Sequence, residues 1–346
     1  MRYVELSLAA QTAYAELFSQ TQTLEMGNAL AGLSGAFHRR TIKGRVYWYF
    51  GYRDIDKQGR MIYVGPDSER VRSLVESHER ARAAGLLTSP ALVALAAGAT
   101  PAAPKHFRVV RRLAEYGFFR AGGVLIGTHA FIALGNMLGV RWADGAATLD
   151  VDFAHAGPNV SIALPANIQI DVHGALESLE MGFLPITQLN GKVGAQYRNP
   201  DDLELRLDFL TSMTRTGEPV LVPNLNVALE PLKFMEFSLE APVQCCLFAR
   251  AGACVVNVPA PERFAVHKLI VHGERPVAEQ TKAKKDVLQA AGLIEYFLSQ
   301  GMADVFNAAW RDALGRGQGW TTRAQQGQKA LLRMAPELDQ PELWRS

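Results

Sequence analysis

The stretch from Gly122 to Phe153, GGVLIGTHAFIALGNMLGVRWADGAATLDVDF, decides how the rest of the chain is read. An apolar run, Val124-Leu125-Ile126, stops at Gly127-Thr128. A helical pattern follows from about His129 to Leu138, then a turn over Trp142 to Ala146. A second strand then carries Asp150-Val151-Asp152. Alternation along a strand sends Asp150 and Asp152 to the same side. Two neighbouring carboxylates repel, and a divalent cation with oxygen ligands is the usual reason to keep them together. Backbone N–H groups at a helix start favour phosphate. A cation site beside a phosphate cradle points to chemistry on a nucleoside triphosphate.

Working outward, the 346 residues are long for one domain and comfortable for two or three. The hydrophobic content of 48% and charged content of 20% are those of an ordinary globular protein. No apolar run reaches the roughly 18 residues of a membrane span. The start, MRYVELSLAAQTAYAEL, has acidic residues and Gln where a signal peptide needs a continuous apolar core. The three cysteines, Cys245, Cys246 and Cys254, include an adjacent pair, so they imply no disulfide framework and match no zinc spacing. A reducing cytoplasm is the expected compartment, with no membrane partner.

Charge is unevenly spread. Residues 1–120 hold 17 Lys/Arg against 10 Asp/Glu, residues 121–257 hold 7 against 14, and residues 258–346 hold 12 against 10. An acidic middle behind a basic N-terminal part suits a metal-binding core with an anion-binding appendage. Such swings also occur by chance in soluble proteins.

Residues 3–33 show apolar positions at helical spacing and predict one or two helices. Residues 36–66 are aromatic and β-branched, with a turn from Asp54 to Gly59, and predict a β-hairpin or three-stranded meander. That segment sets Arg39, Arg40, Lys43, Arg45 and Arg53 among Tyr47, Trp48, Tyr49 and Tyr52, one way to hold nucleic acid. The plainer reading is a hairpin with one packed and one solvated face. A charged helix is expected from Pro66 to Leu87, an Ala/Pro/Gly-rich loop or linker at 95–105, and a helix from Arg108 to Tyr116. Residues 155–190 predict a strand and a helix. Residues 193–212 predict two strands joined by a polar turn. In the second, Leu203, Leu205, Leu207 and Phe209 alternate with Glu204, Arg206 and Asp208. A strand set beside the one bearing Asp150 and Asp152 brings Asp208 to the same site. Taken alone, Asp208 reads better as an exposed residue of a two-faced strand. Two further strands, QCCLFAR and ACVVNVP, turn at Gly252. From Pro261 the pattern is helical, with Pro341 to Ser346 a loose tail.

The order strand, Gly-Thr, helix, Asp-x-Asp strand, then a lone Asp on a later strand resembles the nucleotidyltransferase fold of the polymerase-beta superfamily. IGTHAFIALGNMLGV, TLDVDFA, ESLEMGFLPI, LDFLTS, VPAPERFAVHKLIVHGER and KKDVLQAAGLI are similar to a group of bacterial nucleotidyltransferase-like proteins. The start and the Asp-x-Asp also resemble nucleotidyltransferase toxins of abortive-infection systems. The likeness runs from about residue 105 to 300. Many relatives have Gly-Ser or Gly-Gly where this chain has Gly127-Thr128, and the 22 residues from Thr128 to Asp150 exceed the gap in minimal members.

The resemblance implies an α+β fold: a mixed-sheet nucleotidyltransferase core at 105–257, an N-terminal helix and β-hairpin region at 1–104, and a C-terminal helical domain at 258–346. It implies that Asp150, Asp152 and Asp208 hold two Mg²⁺ (or Mn²⁺) ions and carry the transfer of a nucleoside monophosphate from an NTP to an acceptor hydroxyl. Gly127 lets the backbone approach the phosphates, Thr128 offers them a hydroxyl, and Lys268 or Lys285 reaches the triphosphate. For each lysine a solvated surface charge is the alternative; for His129 and His267 a packed histidine is the stronger reading. RNA, with a tRNA end and a toxin-like role in view, is the expected acceptor, and an antitoxin or other protein is an expected partner. Adenylylation of a protein or small molecule, a DxD glycosyltransferase and a non-catalytic nucleotide or nucleic-acid binding module are the alternatives.

Overall fold

The computed structural model describes the chain apart from residues 32–34, 54–58, 81–86, 147, 149, 157–169, 188–192, 277–278 and 346. It is a mixed α+β fold with a helical C-terminal region. The N-terminal part runs β1 (Tyr3–Glu5), α1 (Leu8–Ala31), β2 (Gly35–Ile42), β3 (Arg45–Arg53), β4 (Gly59–Pro66), α2 (Glu69–Arg80), α3 (Thr88–Ala97) and α4 (Pro104–Glu115). Strands β2, β3 and β4 form a separate antiparallel sheet, the three-stranded outcome of the aromatic pattern. The expected turn at residues 54–58 lies outside the described residues, as does the strand expected near residues 160–169.

The central part runs β5 (Val124–Ile126), α5 (Gly127–Met137), β6 (Val140–Trp142), β7 (Asp150–Ala154), α6 (Val172–Glu177), β8 (Leu184–Thr187), β9 (Val193–Asn199), β10 (Asp202–Ser212), β11 (Val220–Val222) and β12 (Val227–Leu232). Seven of these strands form one mixed sheet, in which β10 is flanked by β7 and β12, both parallel to it, and by antiparallel β9. The pairing of β7 with β10 positions the site. Val151, Phe153, Leu207 and Phe209 are fully buried on one face, with Phe153 and Phe209 stacked at 5.1 Å between ring centres. Each such phenyl ring stabilises the fold by roughly 2–3 kcal/mol through burial. Period-two alternation leaves Asp150, Asp152, Arg206 and Asp208 together on the opposite face.

Beyond the sheet come α7 (Met235–Leu239), the hairpin β13 (Val243–Ala249) and β14 (Gly252–Val258), and helices α8 (Pro261–Glu274), α9 (Gln280–Ser299), α10 (Ala303–Gly315) and α11 (Gln318–Met334). Pro104 and Pro261 sit at the first turns of α4 and α8, where a missing N–H costs nothing. Helices α8 and α11 approach closely because Gly327 lies against the Leu269 carbonyl, where a Cβ would collide. The three cysteines are free and buried.

Four expectations are corrected. Tyr3–Glu5 is a strand, not the start of a helix, and pairs with β6, which occupies part of the expected turn. Tyr3 packs edge-on against Trp142 and Tyr296, a long-range contact that overrides local propensity. Helix α5 begins at Gly127, two residues before the expected start. The Ala-rich linker begins inside α3, whose Ala91 and Ala94 are fully buried and whose end is closed by left-handed Gly98. The C-terminal tail is packed: Leu343 is buried, Trp344 stands edge-on to Phe306 and Trp310, and the Asn307 side chain donates to the carbonyls of Leu343 and Arg345.

Candidate active site

Strand register brings the three aspartates together. Asp152 pairs with Asp208 across β7 and β10, and Ile126 of β5 pairs with Asp152 from the other side. Gly127 follows directly, with φ of +66°, and its Cα lies so close to the Asp152 carboxylate that any Cβ would collide with it. The Gly of the Gly-Thr turn therefore makes room for a carboxylate as well as for a left-handed backbone.

These carboxyls are crowded. Burial pushes Asp152 up to about 6; Asp208 and Asp150 add to the rise, and Lys268 and Lys285 oppose it. Asp208 is only 5% exposed. Its pKa is raised by burial, with Arg206 pulling it down and Asp150 pushing it up. Sequence alternation put Asp208 on the polar side of β10; that side faces the cluster rather than water. Arg206, two residues earlier on the same face, donates from Nε to Asp208 Oδ2 at 2.9 Å and from an Nη to Asp150 Oδ2 at 3.3 Å. Lys282 Nζ lies 3.7 Å from the same Asp150 oxygen. The Asp208 Oδ1 atom is buried with no hydrogen-bond partner. A buried carboxylate oxygen without a donor is costly and is the kind of atom a cation satisfies.

The donor set of three carboxylates suits a hard divalent cation such as Mg²⁺ or Mn²⁺. Among the described residues, though, no group of three or more His, Cys, Asp or Glu is arranged to hold a metal ion. The Arg206 guanidinium bridges two of the three carboxylates instead.

A cleft of about 120 Å³ opens beside Gly127 and Asp152, with Phe264, His267, Lys268 and Arg275 from the α8 side. Helix α8 presents Lys268, and Arg275 follows directly at its C-terminal end in extended conformation. Both are gripped by Asp286 of α9, which is 1% exposed: Lys268 Nζ to Oδ1 at 2.8 Å and Arg275 Nε to Oδ2 at 2.5 Å. Burial alone would raise the Asp286 pKa, but the two cations overcome it and hold the carboxyl below its usual range. Burial, reinforced by Lys268, drives His267 down to about 3, and its Nε2 is buried without a partner.

Of the other expected nucleotide contacts, Lys285 is half-buried and interacts electrostatically with Asp152 and Asp150; burial and Lys268 lower its pKa. Thr128 is turned inward. It is 2% exposed, and its hydroxyl accepts from Gln289 Nε2 at 3.4 Å, so it braces α5 against α9 rather than lining the cleft. His129 is a packed histidine, 3.0 Å from His106 through ring nitrogens and lowered to about 3 by burial, His106 and Lys285. Arg39, Arg40, Lys43, Arg45, Tyr47 and Tyr49 lie on the separate N-terminal sheet and do not line the cleft. Sequence reasoning missed Arg206, Arg275, Lys282 and Asp286 as members of the site. Two were within reach of it: Arg206 shares the alternation of Asp208, and Asp286 follows Lys285 directly.

Sequence comparison gives the class of protein that carries this carboxylate face. A family model described as Nucleotidyltransferase matches residues 105–315, and the chain belongs to that family. The crystal structure of an antigenic nucleotidyltransferase-like protein from Paracoccidioides brasiliensis matches with 15% identity and a TM-score of 0.36, over 70% of this chain and 94% of that one. No curated protein matches the chain.

Proposed function

We propose that the protein moves a nucleoside monophosphate from an NTP to an acceptor hydroxyl, with RNA as the acceptor, in the manner of the polymerase-beta superfamily. The observation that carries this reading is the register of β7 against β10, which sets Asp150, Asp152 and Asp208 on one face with a buried Asp208 oxygen unpartnered. Asp150, Asp152 and Asp208 would hold the divalent cations, which when bound neutralise phosphate charge and lower the pKa of an acceptor hydroxyl. The acceptor hydroxyl releases its proton to solvent, its oxygen bonds to the α-phosphorus, the bond from that phosphorus to the oxygen bridging the β-phosphate breaks, and pyrophosphate leaves. Asp208 would be the carboxylate nearest the attacking hydroxyl. Lys268 and Arg275, fixed by Asp286, are the side chains that meet the triphosphate, with the N–H groups at the start of α5 beyond Gly127. A toxin-like role of the abortive-infection kind and a restraining protein partner belong to the same reading and are supported by the motif order alone, and the cytoplasm is supported by the cysteine pattern alone. Among the described residues no helix is long and apolar enough to cross a membrane.

The test is incorporation of labelled nucleotide into total RNA with Mg²⁺ or Mn²⁺, comparing the wild type with Asp150→Ala/Asp152→Ala. Incorporation should vanish in the variant; survival would remove the carboxylates from the mechanism. A second reading, a non-catalytic nucleotide-binding module, is favoured by one observation: the Arg206 guanidinium already pairs with Asp150 and Asp208. That reading requires nucleotide binding without incorporation under any metal.

A further inference from the structure

The N-terminal sheet has two unlike faces. On one, Phe50 is fully buried and meets Phe37 at 5.1 Å, while Trp48 Nε1 donates to Asp67 at 2.9 Å. On the other, register pairs His38 with Tyr49, Arg40 with Tyr47, Ile42 with Arg45, and Tyr49 with Tyr63. That second face is open: Tyr63 is 54% exposed, and Tyr47 and Tyr49 are half-buried beside it. The three rings cluster, with Tyr63 at 5.5 Å from Tyr49 and 6.2 Å from Tyr47, and the Arg40 guanidinium lies 5.6 Å over the Tyr49 ring. Arg45 and the turn residue Lys43 stand exposed at the end of the same face. Neither 35–53 nor 59–66 contains an Asp or Glu.

We propose that this tyrosine face, bounded by Arg40, Lys43 and Arg45, is a platform for single-stranded RNA. The rings meet edge-on and tilted, at 61° and 49°, and Arg40 lies over one face of Tyr49, so what the cluster offers an unpaired base is the remaining ring surface, on which bases stack regardless of sequence. The acid-free cationic margin complements a phosphate backbone, whereas an apolar peptide would leave those cations unused. The register also sorts the basic cluster: Arg40 belongs to the platform, while Arg39 pairs with Trp48 and faces the other way. The choice of RNA over DNA rests on the acceptor proposed above; the stacking and phosphate contacts do not. The platform is distinct from the carboxylate site, so it can fail while nucleotidyl transfer stands.

The test is fluorescence anisotropy of a labelled 12-nucleotide oligouridine with the full chain, at low salt, without nucleotide or divalent metal. Tyr49→Leu and Tyr63→Leu should each weaken binding about 5- to 160-fold, the range for loss of one stacked base. Tyr49→Phe and Tyr63→Phe should bind like the wild type, because the ring and not the hydroxyl stacks. The dependence of log affinity on log salt should have a slope near −2, as for about three neutralised phosphates on a single strand. No binding by the wild type, Leu variants that bind as the wild type does, or a deoxy strand bound at least tenfold more tightly would each overturn the proposal.

Discussion

The central sheet and the N-terminal sheet each pair an apolar face with a charged one, and they treat charge in opposite ways. On β7 and β10 the charges are crowded and interlocked, with Asp208 buried and Asp150 and Arg206 half-buried: Asp208 with Arg206, Arg206 with Asp150, Asp150 with Lys282 of α9. On β2 and β3 Arg39, Arg40 and Arg45 are exposed and unopposed by strand acids. A buried charge without its partner is expensive, so each substitution in the first network reaches the stability of the whole fold. An exposed cation or ring costs little to change, so the second sheet is free to act on a ligand alone. Pre-organised chemistry sits where the structure is costly, and adaptable contact sits where it is cheap.

The sharpest way to break this contrast is at Asp286. Asp286→Asn leaves Lys268 and Arg275 with an amide in place of a buried carboxylate, and should cost about 3–5 kcal/mol in urea unfolding. A loss under 1 kcal/mol would show that the clamp is not a buried network. Next comes pH. His129 is held neutral, its folded pKa near 3 lying below the ordinary 6.5. Its contribution is therefore fully present above about pH 6.5 and is lost as pH falls toward 3. Between about pH 7 and pH 5, His129→Gln should lose about 2 kcal/mol less stability than the wild type, read from unfolding curves at each pH. Third, Gly127→Ala meets both a left-handed φ and the Asp152 carboxylate; it should lower stability by about 1–3 kcal/mol and weaken nucleotide binding with it. Smallest, Tyr63→Leu on the exposed sheet should change stability by less than about 0.5 kcal/mol. A drop as large as that of Gly127→Ala would mean the tyrosine face belongs to a core.

The parts of this molecule that alternation governs are legible in the sequence. Strand periodicity placed Asp150 and Asp152 on one face, and the same period in LELRLDF carried Asp208 to it once β10 fell beside β7. The aromatic pattern reads as a hairpin or a three-stranded meander, and the sheet takes the second of these. Long-range choices were not legible. Nothing local announces that Tyr3 will pair with Trp142, or that Leu343 and Trp344 will fill a space beside Phe306 and Trp310. Thr128 looked like a phosphate contact because its position in the motif is shared; its inward turn depends on Gln289, 161 residues away. Arg206 was visible as an alternating residue, but its role as the cation between two carboxylates needs the register of two strands.

The central claim is that the aspartate face and the Lys268–Asp286–Arg275 clamp form one nucleotide site. Its most direct test is the thermal midpoint of the protein with each of ATP, CTP, GTP and UTP, with and without Mg²⁺, in the wild type and in Asp152→Asn. Binding to the native state alone should raise the midpoint with at least one nucleotide. The account predicts a rise that needs Mg²⁺ and disappears in Asp152→Asn. A flat response to every nucleotide, or an equal rise in the variant, would contradict it.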